Sequence, residues 1–229
     1  MGSFQGFTDQ TIQFLWELKF NNERSWFNAH KQVYLDHLYH PMVALGHEAY
    51  DMLMERCPDI RGNLKITRIY RDARRLHGGG PYKDHLWLSV ERPHDSGEGD
   101  WHGIPALWFE VSPAGYEYGF GYWGRPADME QYRSRIRKDP RPLEQLVRRF
   151  NRQDVFSLQG EEYHRSKGET TKLLTPWFNR KNVALVCHRE PDELFRSPAL
   201  AETLVQGWQS LEGFYQYFDS LWTETGADA

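Results

Sequence analysis

The stretch Lys65–His85 concentrates the residue types that could bind a ligand or transfer a proton. Six basic residues stand there against the two acidic residues Asp72 and Asp84. The basic residues are Lys65, Arg68, Arg71, Arg74, Arg75 and Lys83. Guanidinium groups bind carboxylates and phosphates through paired N–H donors, so this basic stretch predicts a site for a small anionic ligand. A turn at 78–81, Gly-Gly-Gly-Pro, allows close backbone approach but lacks the spacing of a phosphate-binding P-loop.

The predicted cleft combines basic side chains with aromatic ones. Its expected ligand-binding residues are Arg68, Tyr70, Arg71, Arg74, Tyr82, Lys83 and Trp26. His85 and His30 are the candidate proton carriers, and His30 shares a helix face with Trp26 because the two are four residues apart. The alternative is a structural network in which acidic residues neutralise the cations, and the sequence leaves it open. The acidic candidates for that network are Asp72, Asp84, Glu110 and Glu117.

A reaction is harder to infer than a binding site. The sequence contains no Gly-x-Ser-x-Gly motif, and Glu110 cannot be paired with a second catalytic carboxylate from spacing alone. Trp108 and Glu110 alternate on one face of a predicted strand and are expected to face the same cleft as His85. If the protein is an enzyme, a hydrolase or transferase acting on a phosphate- or carboxylate-bearing substrate fits these residues best.

Metal and cofactor sites are not predicted. His94, Asp95, Asp100 and His102 crowd one glycine-rich segment, but neither a His-Glu-x-x-His motif nor a cysteine pair accompanies them. The two cysteines, which stand at 57 and 187, indicate reduced thiols and therefore a cytoplasmic protein.

Charge and hydropathy limit the remaining classes. The 229 residues carry a formal net charge of −4, which argues against a general nucleic-acid coat or a membrane-surface protein. No apolar run reaches the roughly 18 residues of a membrane span. A nucleic-acid-binding protein remains an alternative if the basic stretch joins a second group of cations in one patch. That group comprises Arg133, Arg135, Arg137, Lys138, Arg148 and Arg149. A non-catalytic interaction module, which would expose an aromatic patch, is the other alternative; the oligomeric state has no sequence signal.

Hydrophobic spacing predicts helices at both ends of the chain and strands between them. The first helix follows Thr8 and has Ile12, Leu15, Trp16 and Leu18 on its apolar face. Further helices are expected over 23–39 and from 41 to about 56, and later ones begin at Pro126 and Pro142. A short helix within 170–178 precedes a long last helix that follows Ser197-Pro198.

Alternating residues predict the strands 64–70, 86–91, 106–111, 116–122 and 183–187. The segment 92–104 is expected to be a mobile surface loop. This order predicts a single α+β domain over 1–229, with an ordered core at about 5–222 and a frayed tail. Its sheet should be mainly antiparallel and packed by the N-terminal and C-terminal helices.

Three motifs resemble a known family. They are Asn21-Asn22-Glu-Arg24-Ser-Trp26-Phe27-Asn-Ala-His30-Lys31, Arg68-Ile-Tyr70-Arg71-Asp72-Ala-Arg74 and Pro81-Tyr82-Lys83-Asp-His85. Together with Gly119–Trp123 and the aromatic last helix, they resemble the uncharacterised family called domain of unknown function 2461. Between Arg74 and Pro81 this chain lacks a lysine typical of that family, a position for which Arg75 could compensate. The resemblance implies one domain over nearly the whole chain and no known reaction, substrate or cofactor.

Overall fold

The computed structural model describes residues 2–72, 80–92 and 102–226. Helices α1–α4 come first, and a short π-helical segment, Leu35–Tyr39, leads directly into α4. These four helices are Asp9–Phe20 (α1), Arg24–Ala29 (α2), Lys31–Tyr34 (α3) and His40–Arg56 (α4). The strands are Asn63–Ile66 (β1), Leu86–Glu91 (β2), Pro105–Ser112 (β3), Gly115–Tyr122 (β4), Ser157–Gln159 (β5) and Val183–Arg189 (β6). The remaining helices are Pro126–Lys138 (α5), Arg141–Phe150 (α6), Thr175–Phe178 (α7) and Ala199–Gly226 (α8).

The strands form one six-stranded antiparallel sheet in the order β1-β2-β3-β4-β6-β5. Alternation along β2 places Leu86, Leu88 and Val90 on one face, where all three are fully buried. Helix α4 lies over this face, and its Gly46 brings the backbone close to the side chains of Leu88 and Ile66. Further along the sheet, α8 covers β3 and β4. The predicted α+β class, with terminal helices on an antiparallel sheet, is confirmed.

The long last helix supplies much of the core. Its apolar residues at helical spacing are at most 2% exposed: Leu200, Leu204, Trp208, Leu211, Tyr215 and Phe218. The ring of Phe218 packs 4.5 Å from that of Tyr122 on β4. Ser197 caps the helix start by accepting a hydrogen bond from the Ala199 amide, as its sequence position predicted. The helix extends beyond Trp222 to Gly226.

The apolar face predicted for α1 is wrong at Trp16, whose side chain is 43% exposed. The buried positions are Thr11, Phe14, Leu15 and Leu18, a stripe one step around the helix from the predicted one. Trp16 instead stacks on the exposed Phe20, at 6.0 Å between ring centroids. Burial of Thr11 shifts the stripe, and its hydroxyl donates to the carbonyl oxygen of His37.

The predicted 23–39 helix is not one regular helix. The structure breaks that helix at His30 and widens it into the π-helical segment before α4. Pro41 has no N–H group, so it cannot donate to the carbonyl of His37 four residues earlier. Thr11 on α1 satisfies that carbonyl instead.

Two strand predictions also need correction. The strand predicted for 64–70 ends at Ile66, and Tyr70 forms an isolated antiparallel bridge with Tyr82. The short β5, which pairs with β6, was not predicted. Most of the loop predicted at 92–104 lies outside the described residues. Within the described part of the chain, no helix has both the length and the apolar character to span a bilayer.

Candidate functional site

The second face of the sheet carries an open pocket over β2 and β3. Residues that alternate with the buried ones point to this side: Trp87 and Glu91 from β2, Trp108 and Glu110 from β3. The pocket has a volume of about 250 Å³. We call it the tryptophan pocket, and its lining residues are Lys65, Thr67, Trp87, Ser89, Glu91, Ile104, Ala106, Trp108, Glu110 and Trp123.

Small residues next to the tryptophans leave this space open. Gly119 on β4 lies opposite Trp108, and Gly121 lies opposite Ala106. The ring of Trp123 folds back over Gly121, so that a Cβ added there would overlap the Trp123 Cη2 atom. Because only glycine permits this close approach, Gly121 determines where the Trp123 wall stands.

Trp108 lines the pocket with its ring, while its indole nitrogen is enclosed by the protein. Its indole Nε1 is buried, and no acceptor among the described residues lies within hydrogen-bonding distance. Its backbone carbonyl accepts a hydrogen bond from the Trp208 indole on α8, at 3.3 Å. A buried donor without a partner is uncommon in folded proteins, and this nitrogen is too enclosed for a ligand in the pocket to reach it.

Glu91 lies at one end of the pocket and is held by two neighbours. Lys65 Nζ lies 2.7 Å from one carboxylate oxygen, and the Ser89 hydroxyl donates to the other at 3.1 Å. Lys65 therefore neutralises Glu91 across the β1–β2 pair. This ion pair neutralises one cation of the basic stretch through a carboxylate that was not among the predicted acidic candidates.

Glu110 lines the same pocket further along β3. It faces Trp87 on β2 and Glu117 on β4 in the strand register. Burial raises the pKa of Glu110 to about 7, and the neighbouring carboxylates of Glu117 and Asp84 add to the rise, while Lys83 opposes it. A carboxyl group with this pKa exchanges its proton readily near neutral pH.

Lys83 stands at the edge of the pocket beside Trp87. Its Nζ atom lies 4.2 Å from the centre of the Trp87 ring and donates to the Arg68 carbonyl at 3.1 Å. Burial lowers the pKa of Lys83, Arg68 and Arg71 lower it further, and Glu110 opposes them. Arg68 and Arg71, two more of the predicted cations, are therefore close enough to Lys83 to repel it electrostatically.

His85 adjoins this cluster from the start of β2. Its ring stacks on Trp87 at 5.4 Å, and its Nδ1 atom lies 3.1 Å from an Asp84 carboxylate oxygen. Burial lowers the pKa of His85, although the hydrogen bond and charge of Asp84 oppose that change. Burial acts to raise the pKa of Asp84, but the hydrogen bond from His85 helps to hold it below its usual value. Trp108 and Glu110 line the pocket, whereas His85 is linked to it through its contact with the Trp87 ring.

The Tyr70–Tyr82 bridge fixes the chain on both sides of the predicted turn. Arg71 N donates to the Pro81 carbonyl, and Lys83 N donates to the Ile69 carbonyl. The Asn22 side chain bonds both the amide and the carbonyl of Tyr82, at 3.0 and 2.9 Å. These bonds hold Lys83 in place, so the first and third sequence motifs meet in space.

The two tyrosines of the predicted cleft have different surroundings. Tyr82 is 3% exposed and stacks on Phe27 at 4.1 Å, so its ring belongs to the core. Tyr70 is 48% exposed, and its ring contacts those of Phe27 and Tyr82. Burial raises the pKa of Tyr82, which stays protonated at neutral pH.

Trp26 on α2 contacts His30, the residue that ends this helix. Their rings stack at 4.1 Å, and the His30 Nδ1 atom donates to the Trp26 carbonyl at 2.8 Å. Trp26 also contacts Phe14 on α1. Neither residue lines the tryptophan pocket, and neither does His85, whose ring stacks on the pocket residue Trp87. The predicted Arg74 lies outside the described residues.

Two walls of the pocket, Trp87 and Trp123, were not among the predicted site residues. The alternation of β2 had placed Trp87 on the face away from the apolar residues, and that signal was available in the sequence. Trp123 follows the end of β4, and its position depends on the fold back over Gly121. No local sequence pattern indicates such a contact.

The second group of cations does not form one exposed patch. Arg133 is 2% exposed, and its guanidinium donates to the carbonyl oxygens of Phe178 and Arg180. Arg137 pairs with Glu130 at 2.7 Å. The continuous patch required by the nucleic-acid alternative is therefore interrupted at its first member.

No cluster of three or more histidine, cysteine or carboxylate side chains is placed to hold a metal ion in the described ranges. Of the four residues that crowd the predicted loop, only His102 belongs to those ranges. Cys57 and Cys187 are both buried thiols, unpaired with each other. Burial raises the pKa of Cys57 to about 11, and Glu212 contributes to that rise.

Comparison with known proteins places the chain in a family. The family model described as "conserved hypothetical protein (DUF2461)" matches residues 10–217. The chain belongs to this family. The match covers all six strands of this DUF2461 protein and every residue that lines its tryptophan pocket. It confirms the resemblance seen in the sequence motifs, and no curated protein matches the chain.

Proposed function

We propose that this DUF2461 protein binds a small molecule with an acidic group in the tryptophan pocket. The observation that carries the proposal is the convergence of Trp87, Trp108 and Trp123 on one open pocket with Lys83 at its edge. Aromatic walls with a few placed polar groups are typical of small-molecule sites. Most other large aromatic residues of the described chain are buried in the core.

The acidic group of the ligand would lie at the Lys83 edge. Arg68 and Arg71 add positive charge there, and both act on Lys83. Ligand binding would relieve the repulsion that Arg68 and Arg71 exert on Lys83, because an anion placed beside these cations attracts each of them. Glu110 and Asp84 already offset part of this charge, so the site suits one phosphate or carboxylate group better than a polyanion.

A hydrolase or transferase activity would use the proton-exchanging groups beside Trp87. Glu110 is the first choice because its pKa of about 7 lets it donate or accept a proton near neutral pH. His85, oriented by Asp84, is the second. Both would act on a ligand that lies against Trp87. The same pocket without turnover would make the protein a binding protein in the cytoplasm.

The proposal is tested by thermal shift with phosphate- and carboxylate-bearing metabolites. A ligand at 100 times its dissociation constant stabilises the folded state by about 2.7 kcal/mol. We expect the shift to be lost in Lys83→Gln and kept in Lys181→Gln. Lys181 is a matched control because it pairs with Glu161 and is absent from the pocket. No thermal shift with any metabolite of the panel, or an equal shift in Lys83→Gln, would contradict the proposal.

A further inference from the structure

The two carboxylates of the tryptophan pocket lie at opposite ends of it. Glu91 pairs with Ala106 in the register of β2 and β3, whereas Glu110 pairs with Trp87. The four residues from Ala106 to Glu110 span roughly 13 Å, at about 3.3 Å per residue. The apolar lining of the pocket comes from Trp87, Ile104, Ala106, Trp108 and Trp123. A ligand body that extends along β3 therefore meets mainly hydrocarbon surface.

Protein neighbours already bond most polar side chains of the described lining. Lys65 and Ser89 hold the Glu91 carboxylate. The Thr67 hydroxyl donates to the Trp87 carbonyl at 2.9 Å and accepts from the Trp87 amide at 3.3 Å. An apolar ligand surface leaves these hydrogen bonds intact, so covering them costs little. A ligand rich in hydroxyl groups would lose its bonds to water there without gaining new partners.

The polar contact of the ligand is expected at the other end of the pocket. Lys83 lies there over the Trp87 ring, and its Nζ atom donates to the Arg68 carbonyl. An ammonium group has three N–H donors, so Lys83 can also bond an anion. Glu110 belongs to the same end, since its charge acts on that of Lys83. The ligand that fits is therefore acidic at one end and apolar over the rest of its length.

The size and walls of the pocket define that apolar part further. A closed apolar cavity of about 150 Å³ holds one benzene molecule. The tryptophan pocket has about 250 Å³, which leaves room for a second ring fused to the first. Three indole rings in the wall favour an aromatic body, because contacts between aromatic rings are more favourable than their buried area alone accounts for.

We propose that the ligand is an aromatic acid with two fused rings. Its ring system lies against Trp87, Trp108 and Trp123, and its carboxylate or phosphate lies beside Lys83. This inference rests on the proposed function, since it names the ligand class for the same site.

Isothermal titration calorimetry with five small probes tests this ligand class. The probes are 2-naphthoate, benzoate, cyclohexanecarboxylate, glucuronate and 2-naphthol. We expect 2-naphthoate to bind about tenfold more tightly than benzoate, because its second ring buries more apolar surface. Cyclohexanecarboxylate should bind no more tightly than benzoate, since it makes no contact between aromatic rings. Glucuronate, which lacks the apolar body, and 2-naphthol, which lacks the acidic group, should each bind at least about tenfold more weakly than 2-naphthoate.

The variant Ala106→Val tests where the second ring lies. Ala106 is at the Glu91 end of the pocket, away from Lys83. The two added methyl groups should weaken 2-naphthoate binding by about tenfold and benzoate binding by less than about twofold, because a single ring does not reach that end. Lys83→Gln should weaken the binding of both acids by about tenfold. Equal weakening of both acids in Ala106→Val, with circular dichroism showing a folded variant, would overturn this placement, as would an unchanged affinity for 2-naphthoate.

The ranking of the probes on the native chain separates this inference from the proposed function. If glucuronate bound more tightly than 2-naphthoate and lost that binding in Lys83→Gln, the aromatic class would be wrong and the proposed function would be kept. Tighter binding of cyclohexanecarboxylate than of benzoate would also overturn the aromatic class. Equal binding of 2-naphthol and 2-naphthoate would overturn the acidic group, and the proposed function with it. If no probe binds, the aromatic class is wrong, and the metabolite panel of the thermal-shift test decides the proposed function.

Discussion

The two faces of β2 and β3 differ in composition and in what covers them. The face under α4 and α8 presents aliphatic and aromatic side chains such as Leu88 and Phe109, which are fully buried. The other face presents Trp87, Trp108 and Glu110 around a cavity. Because side chains alternate along a strand, residues one position apart serve these two surfaces.

The comparison shows why the polar and charged groups are tolerated on one side only. Leu88 fits against Gly46 of α4, where a charge would lose its hydration without a partner. On the open face, Lys65 and Ser89 bond the Glu91 carboxylate. The pKa of Glu110 is raised by burial, so this side chain is not fully charged near neutral pH. Stability therefore depends mainly on the covered face, and the candidate chemistry lies on the open one.

The largest expected effect comes from truncating neighbouring residues on the two faces. Leu88→Ala should lower the free energy of unfolding by about 3 kcal/mol, because it leaves a cavity under α4. Trp87→Ala removes a larger side chain from the open face but should cost only about 1 kcal/mol. Urea unfolding of both variants measures the difference. If Trp87→Ala lost as much unfolding free energy as Leu88→Ala or more, stability would not depend mainly on the covered face.

A second prediction concerns the glycine under Trp123. Gly121→Ala should cost about 2 kcal/mol because the new Cβ would overlap the Trp123 ring and force it to move. The double variant Gly121→Ala/Trp123→Ala removes the overlap and should recover part of that loss relative to the single glycine variant. If the losses in unfolding free energy from the two substitutions are simply additive in urea unfolding, Gly121 has no role in placing the pocket wall.

A smaller, pH-dependent effect is expected at Glu110. Its pKa rises from the usual 4.5 to about 7 on folding, so the folded state holds a proton that the unfolded state releases between these pH values. The stabilisation is thus fully present below about pH 4.5 and is lost as the pH rises through about 7. After allowance for partial exposure, this loss is roughly 2 kcal/mol.

Glu110→Gln cannot ionise and should lack this fall, so it should gain stability relative to the native chain between pH 5 and pH 8. Urea unfolding at the two pH values measures the gain. The exposed carboxylate of Glu169 supplies the control variant, Glu169→Gln, which should follow the native chain. Parallel pH profiles for native chain and Glu110→Gln would show that Glu110 is not the titrating group.

Local patterns predicted most of the fold, and the failures share a cause. Strand alternation and proline or serine positions placed β2, β3, β4, α5 and α8 correctly or within a few residues. The exposed Trp16 was misplaced because Thr11, a polar residue, takes a buried position by bonding the carbonyl that Pro41 leaves free. That exchange joins residues far apart in sequence, so no local pattern contains it.

The candidate site was predicted only in part for a similar reason. The basic stretch led to Lys83 and His85, and strand alternation led to Trp108 and Glu110. The same stretch also led to the prediction that Tyr82 binds the ligand, but its ring stacks on Phe27 in the core. Residue type alone does not distinguish a tyrosine that lines a cleft from one that packs under it.

The sequence by itself determined the family, the order of helices and strands, and which side chains share a face of each strand. Those properties depend on residues near one another along the chain. Tertiary structure decided which face the helices cover, how Trp123 closes the pocket over Gly121, and how strongly Glu110 holds its proton. These depend on burial and on distances between separate strands, and the chain acquires both only when it folds.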